Sequence, residues 1–151
     1  MISTTGKLLY NPTRKDLKKS EESNIIILDL PKDNLADYYQ WFIKKYYGEY
    51  LTLQSPMFGT HITVVRPQEV DIHSQYWLKY KNKDININYF PERLERHWEF
   101  WSLTVISKEL VDIRKEFGLR TDFRLHITIG RQYDWQPKNI ITNVNHDSDY
   151  L

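Results

Sequence analysis

Cysteine is absent from this sequence of 151 residues. Disulfide bonds, zinc–thiolate sites and cysteine nucleophiles are therefore excluded, and the domain must be held together by its core alone. No stretch approaches the ~18 consecutive apolar residues of a membrane span, and the N-terminal residues lack the apolar segment of a signal peptide. We therefore expect a cytoplasmic protein that does not contact a membrane.

An excess of charge of one sign is also missing. Lysine and arginine number 21 against 20 acidic residues, which leaves a net charge of +1. A protein that holds duplex DNA through its bulk charge is strongly basic, so this class is excluded and any nucleotide ligand must be bound by a local site. The length and the 40% hydrophobic content are typical of a single globular domain, which we assign to residues 1–151.

Hydrophobic patterning predicts a mixture of strands and helices. One helix is predicted over residues 34–47, with Asp33 as its N-cap and Gly48 just after its end. A second helix is predicted between its N-cap Ser107 and Gly118. Residues 68–84 contain at most a weak helix or a loop around residues 76–80. The predicted strands cover residues 6–10, 25–30, 50–54, 61–66, 85–90, 99–106 and 124–130.

A short internal repeat gives the clearest functional signal. Residues 61–66 read HITVVR and residues 126–131 read HITIGR, so His, Ile, Thr and Arg are identical in the two copies. Each copy follows a buried strand, a helix closed by glycine, and a loop. The two repeating segments are residues 25–66 and 99–131.

Strand geometry places the polar residues of each copy on one face. Because side chains alternate along a strand, His61 and Thr63 point to the same side, and so do His126 and Thr128. The intervening apolar residues point to the opposite side, where they can pack on the two helices. If the copies pair about a pseudo-twofold axis, two His and two Thr meet on the solvent-facing side of the strands.

A single histidine on a strand is usually a structural residue, but two copies in the same setting indicate a site. Two histidines without a nearby carboxylate lack the third ligand that a metal site requires, so we expect no metal. The remaining histidines are His73, His97 and His146, which we interpret as surface residues.

The paired His-x-Thr motifs resemble those of the two-histidine phosphoesterase superfamily. The neighbouring segments resemble the phage anti-CBASS nucleases, which cut the cyclic oligonucleotides that bacteria use to signal infection. This likeness covers roughly residues 6–131. It includes the segments GKLLY, SPMFGTHITVVRP, INYFP, FWSLTV and ELVDIRKEFGL and the tyrosine-rich helix at 38–47.

This resemblance implies an α+β fold with two pseudo-symmetric sheet-and-helix lobes around a central cleft. It also implies a metal-independent phosphodiesterase that needs no cofactor and cleaves cyclic di- or trinucleotides. The residues that match the catalytic motif are His61, Thr63, His126 and Thr128. Tyr10 matches an N-terminal aromatic position near the ligand, although packing in the core is its alternative role.

The chemistry of these residue types fits phosphodiester cleavage. Histidine side chains with pKa values near neutrality can act as general base and general acid, and either histidine fits either role. Threonine hydroxyls can donate hydrogen bonds to the phosphate oxygens, where negative charge develops. Arg66 and Arg131 could add positive charge near the phosphate or form ion pairs at the strand ends.

Two alternatives stay open. The first is an enzyme of the same superfamily that acts on RNA ends or on linear 2′,5′-linked oligonucleotides. The second is a non-catalytic RNA-binding module, although binding alone does not require an acid–base pair.

Overall fold

The computed structural model describes residues 1–12, 24–30, 35–56, 58–67, 69–70 and 75–133. Within these ranges the chain forms seven strands and two helices. The strands are β1 (Ile2–Tyr10), β2 (Ile26–Asp29), β3 (Leu53–Gln54), β4 (His61–Val65), β5 (Asp84–His97), β6 (Phe100–Ile106) and β7 (His126–Gln132). The helices are α1 (Leu35–Tyr47) and α2 (Lys108–Glu116).

The described strands form one sheet that closes on itself. Its order is β3-β7-β4-β2-β1-β5-β6, and β6 also pairs with β7. Every pairing is antiparallel. The result is a six-stranded, barrel-like ring with the short β3 added beside β7, and it confirms the α+β class.

The predicted lobes share this single sheet, because β2 and β4 belong to the first repeating segment and β6 and β7 to the second. Each helix also bonds to a strand of the other segment. The side-chain amide of Gln40 on α1 donates to the carbonyl of Ile129 at 2.9 Å, and Arg114 on α2 donates to the carbonyl of Val64 at 2.7 Å. These links join the two repeating segments into one unit, so a division into two pseudo-symmetric lobes stays a prediction.

Local sequence signals explain the helix ends. The Ser107 hydroxyl accepts a hydrogen bond from the Leu110 amide at 3.2 Å, which confirms the predicted N-cap of α2. Gly118 follows α2 with φ of +73°, in the region that favours glycine after a helix. Gly48 follows α1 with φ of +146°. The predicted N-cap Asp33 lies outside the described residues.

Two strands are at least four residues longer than the sequence predicts, β3 is three residues shorter, and the other strands agree within two residues at each end. β1 begins at Ile2 because it pairs with β5 from Ile2 opposite Tyr89 to Lys7 opposite Asp84. Its polar residues gave no strand signal. β5 continues past Pro91 through a register irregularity between Tyr89 and Leu94, which accommodates the missing N–H of proline. β3 has only two residues, and residues 76–80 form turns.

The apolar face of the sheet packs against both helices. Ile62, Val64, Ile127 and Ile129 are fully buried in one cluster that also contains Ile43 of α1 and Leu110 of α2. The apolar backs of the repeat strands are thus where the alternation predicts them. Neither helix of the described chain has the length and apolar character needed to cross a bilayer.

Candidate active site

The two repeat strands meet in the middle of the site. Ile62 of β4 lies directly opposite Ile127 of β7. In an antiparallel pair this register sets His61 opposite Thr128 and Thr63 opposite His126, with all four side chains on one face. The sheet therefore brings together the four predicted catalytic residues, which we call the His/Thr quartet.

The quartet is buried, whereas the sequence predicted solvent-facing side chains. The exposed fraction is 3% for His61, 4% for Thr63, 3% for His126 and 7% for Thr128. The prediction was wrong because it treated each strand separately. In the closed sheet the helices cover the outer, apolar face, so the quartet lies on the inner, concave face.

Each histidine is oriented by the residue two positions before it. Nδ1 of His61 lies 2.8 Å from the carbonyl oxygen of Gly59, and Nδ1 of His126 lies 2.9 Å from the carbonyl oxygen of Arg124. Because a carbonyl oxygen only accepts, Nδ1 must carry the hydrogen in each ring. In the neutral tautomer Nε2 then has the lone pair and can act as a base.

Burial keeps the two imidazoles neutral. It lowers the pKa of His61, and the hydrogen bond to Gly59 opposes this effect. Burial also lowers the pKa of His126 to about 4, with further lowering by the positive charges of Arg124, His61 and His97. The ring of Phe58 adds an edge-on contact to His61, with centroids 5.4 Å apart.

The neighbouring strand β6 extends the polar face. Thr104 lies opposite His126, and Ser102 lies opposite Thr128. The amide of Val105 donates to the carbonyl of Leu125 at 3.1 Å. Because hydrogen-bonded and non-hydrogen-bonded pairs alternate along antiparallel strands, the two pairs named above are non-hydrogen-bonded pairs, in which the side chains are closely spaced.

Arg124 occupies this polar face beside the quartet. Its guanidinium donates to the Ser102 hydroxyl at 3.1 Å and to the Thr104 hydroxyl at 3.2 Å. It also lies 3.6 Å from Glu95, which in turn lies 3.0 Å from Nε2 of His97. His97 was expected to be a surface residue, and its side chain is 34% exposed.

An acidic residue flanks the other histidine. Asp29 of β2 lies directly opposite His61. The Leu30 amide donates to the carbonyl of Thr60 at 3.0 Å, which makes Asp29 and His61 a non-hydrogen-bonded pair with closely spaced side chains. Partial burial raises the pKa of the Asp29 carboxyl.

Sequence reasoning missed Arg124 and Asp29 for different reasons. Arg124 stands two residues before His126, where the first copy has Gly59, so it could have been found by comparing how the copies differ. Asp29 stands at the end of an apolar strand, and only the β2–β4 register shows that it faces His61.

Tyr10 makes core contacts. Its ring packs edge-on against Trp77 with centroids 5.0 Å apart, and its hydroxyl accepts a hydrogen bond from the Tyr80 amide at 3.3 Å. Burial raises the pKa of this hydroxyl to about 12. Tyr10 shares strand parity with the buried Leu8, which belongs to the apolar face. These contacts fit the packing alternative, and a contact of Tyr10 with the ligand stays a prediction.

Arg66 forms the ion pair that was its alternative role. Its Nε lies 3.4 Å from Glu69, and its guanidinium lies over the Phe123 ring at 4.8 Å. Glu69 also binds the buried Arg114, and these bonds outweigh burial and lower the pKa of Glu69 to about 2. Arg131 pairs with Glu99 at 2.8 Å. A role of Arg66 in substrate binding stays a prediction.

Metal-ligating residue types are scattered in the part of the chain that the structure describes. No three His, Asp or Glu side chains of these residues are grouped closely enough to hold a metal ion. His73 and His146 lie outside the described residues.

Comparison with known families agrees with the geometry. Residues 26–134 match the family model described as Swiss Army Knife, 2H phosphoesterase domain. The match includes both His-x-Thr motifs. Searches of curated proteins and of solved structures gave no significant match. Because the family model covers most of the sequence, the chain belongs to the Swiss Army Knife group of 2H phosphoesterase domains.

Proposed function

We propose that this protein is a metal-independent phosphodiesterase that cleaves cyclic di- or trinucleotides to linear products and so counters bacterial antiphage signalling. Family membership supports a hydrolase that acts on phosphodiesters. The observation that carries the proposal is the β4–β7 register, which sets two histidines and two threonines on one face of the sheet. An acid–base pair and hydrogen-bond donors of this kind can cleave a phosphodiester without a metal ion.

The reaction that fits these groups starts with the ribose 2′-hydroxyl beside the scissile phosphate. One imidazole takes the 2′ proton on Nε2 while the 2′ oxygen forms a bond to phosphorus. The bond from phosphorus to the 5′ oxygen breaks, and the second histidine, as imidazolium, protonates that oxygen. The products are a 2′,3′-cyclic phosphate and a free 5′-hydroxyl, so a cyclic substrate becomes linear. Each proton transfer contributes ~10²–10⁴-fold to the rate.

The threonine hydroxyls complete this mechanism. The register sets Thr63 beside His126 and Thr128 beside His61, so one hydroxyl lies next to each ring. Donors held in a water-poor site stabilise charge on the non-bridging oxygens more strongly than they would in water. The phosphodiester anion also favours protonation of one of the two buried rings on binding. The substrate therefore promotes the charged state that the acid requires.

The choice of a cyclic oligonucleotide as substrate rests on the resemblance of the flanking segments to the phage nucleases. RNA ends and linear 2′,5′-linked oligonucleotides present the same phosphodiester chemistry and are the competing substrates. A non-catalytic RNA-binding module is the competing function from another class.

A substrate panel in the presence of EDTA tests the proposal. Cyclic dinucleotides, cyclic trinucleotides, 2′,5′-linked oligoadenylate and short linear RNA are incubated with the protein and separated by anion-exchange chromatography. We expect the cyclic ligands to be converted to linear products at the same rate with and without chelator. Loss of turnover in EDTA that one divalent ion restores would contradict the metal-independent mechanism. If only linear RNA or 2′,5′-oligoadenylate is cleaved, the substrate belongs to one of the competing classes and the proposed cyclic substrate is wrong.

A further inference from the structure

We propose that Asp29 and Arg124 make the two halves of the quartet unequal, so that His61 serves as the general acid and His126 as the general base. This assignment rests on the proposed function for its chemistry. The geometry of the strands next to β4 and β7 decides which histidine is the acid and which is the base.

The first difference lies two residues before each histidine. Gly59 and Arg124 both accept the Nδ1–H of the following histidine through their carbonyls. Gly59 has no side chain, and its φ of +71° favours glycine. The guanidinium of Arg124 instead donates hydrogen bonds to the hydroxyls of Ser102 and Thr104. These two residues lie opposite Thr128 and His126 in the β6–β7 pair. At this position, two residues before each histidine, a permanent positive charge therefore accompanies His126 and has no counterpart beside His61.

The second difference lies in the outer neighbour strand of each half. β2 stands beside β4 as β6 stands beside β7. The residue opposite His61 is Asp29, whereas the residue opposite His126 is the uncharged Thr104. A nearby carboxylate favours an imidazolium, and a nearby guanidinium disfavours it. The two flanking groups therefore act in opposite directions on the two rings.

Among the described residues, the other charged groups on this face do not reverse this order. Lys7 of β1 lies opposite Asp29, but its side chain is 52% exposed, so solvent screens its amine. Glu95 of β5 approaches Arg124 at 3.6 Å, and its side chain is more exposed than that of Arg124, at 44% against 25%. His97, when protonated, adds to the positive potential at His126. Burial lowers the pKa of both rings, and the charge of Arg124 lowers that of His126 further, so the flanking groups decide the order of the two rings.

This asymmetry fixes the path of the protons. Nε2 of His126 accepts the proton of the 2′-hydroxyl as the 2′ oxygen attacks phosphorus. Nε2 of His61 gives its proton to the departing 5′ oxygen as the bond to phosphorus breaks. His126 ends the step protonated and His61 neutral, and exchange with solvent restores the starting state.

The order of protonation can be measured without any turnover. Nitrogen-15 NMR of the imidazole rings follows the titration of His61 and His126 in the intact chain. We expect His126 to protonate at lower pH than His61.

Two variants test the source of this difference. Arg124→Gln should raise the His126 pKa more than the His61 pKa, and Asp29→Asn should lower the His61 pKa more than the His126 pKa. Arg131→Gln is the matched control, because it removes an arginine charge from β7 that is paired with Glu99. A pKa of His126 above that of His61 would overturn the proposal. So would a result in which Arg124→Gln and Asp29→Asn change the pKa of neither ring by more than Arg131→Gln does.

A sulfur-substituted substrate tests the chemical roles. In a cyclic dinucleotide with sulfur in place of both bridging 5′ oxygens the leaving group is a thiolate, which departs without a general acid. His61→Ala should lose ~10²–10⁴-fold on the oxygen substrate and recover most of this loss on the sulfur substrate. His126→Ala should be impaired on both. The reverse pattern would refute the assignment. If the unmodified protein cleaves neither dinucleotide nor the cyclic ligands, the proposed function fails, while the NMR titration still decides whether the two rings are unequal.

Discussion

Ile62 and Ile127 lie directly opposite each other between β4 and β7, and they are the pair around which the His/Thr quartet is arranged. Both side chains are fully buried on the helix-covered face of the sheet. Their neighbours in sequence therefore emerge on the concave face, His61 across from Thr128 and Thr63 across from His126. The hydrophobic packing of one face thus holds the geometry of the quartet on the other.

Shortening this pair should weaken the fold and the site together. Ile127→Ala removes fully buried methyl and methylene groups, a change that typically costs about 2–5 kcal/mol of the free energy of unfolding. We expect a comparable loss in urea denaturation and a fall in kcat/KM at temperatures where the variant is still folded. Ile2→Ala is the control, because Ile2 is 43% exposed at the start of β1. Equal losses for the two variants would contradict a special role of the β4–β7 pair.

Each histidine of the quartet should be essential for turnover. We expect His61→Ala and His126→Ala each to lower kcat/KM for the natural oxygen substrate by at least ~10²-fold, because each removes one of two proton-transfer groups. The double variant should be little worse than either single one, since acid and base act as a unit. Circular dichroism and thermal melting establish that the variants are folded. Near-normal activity of either folded variant would remove that residue from the catalytic set.

The repeat, the capped α2 and the apolar backs of β4 and β7 follow from the sequence because each depends on neighbours along the chain. What the sequence could not show depends on pairing between distant strands. Asp29 faces His61 only through the β2–β4 register, and the quartet becomes buried only because β6 pairs with β7. β1 was missed at its start because Ser3 and Thr5 find partners in Asn88 and Asn86 of β5, not in an apolar core. Local periodicity contains none of this information.

Acid should weaken the fold before it protonates the carboxylates. The pKa of His126 falls from an ordinary 6.5 to about 4 in the folded protein. Between these values the unfolded chain binds a proton that the folded chain does not, so the free energy of unfolding falls as the pH drops from 6.5 towards 4. Since one pKa unit corresponds to about 1.4 kcal/mol, His126 contributes at most roughly 3–4 kcal/mol to this loss.

Urea denaturation between pH 6.5 and pH 4.5 measures this effect. We expect His126→Gln to have a shallower pH dependence than the unmodified protein in this window. The pKa of His61 is lowered as well, so the free energy of unfolding of His126→Gln should still fall with decreasing pH, but less steeply. Glu69, with its pKa lowered from 4.5 to about 2, loses its contribution mainly below this window. Asp29, with its raised pKa, acts in the opposite direction, but it is present in both proteins and its effect cancels in the comparison. An unchanged slope in His126→Gln would show that His126 is not the group held neutral by burial.

The identity of the nucleophile gives the final prediction. If the 2′-hydroxyl attacks, the substrate must have a free 2′-hydroxyl beside the scissile 3′-phosphate. A 3′,3′-cyclic dinucleotide has this group, and its 2′-deoxy analogue lacks it but keeps the phosphates and bases. The quartet provides a base for the 2′ proton, an acid for the 5′ oxygen and two threonine donors for the phosphate. None of these groups needs the 2′-hydroxyl in order to bind the ligand. We therefore expect the deoxy analogue to bind, as measured by calorimetry, and to remain intact on chromatography while the ribose ligand is cut. Efficient cleavage of the deoxy ligand would show that water is the nucleophile, because no other oxygen beside the phosphate could then attack it.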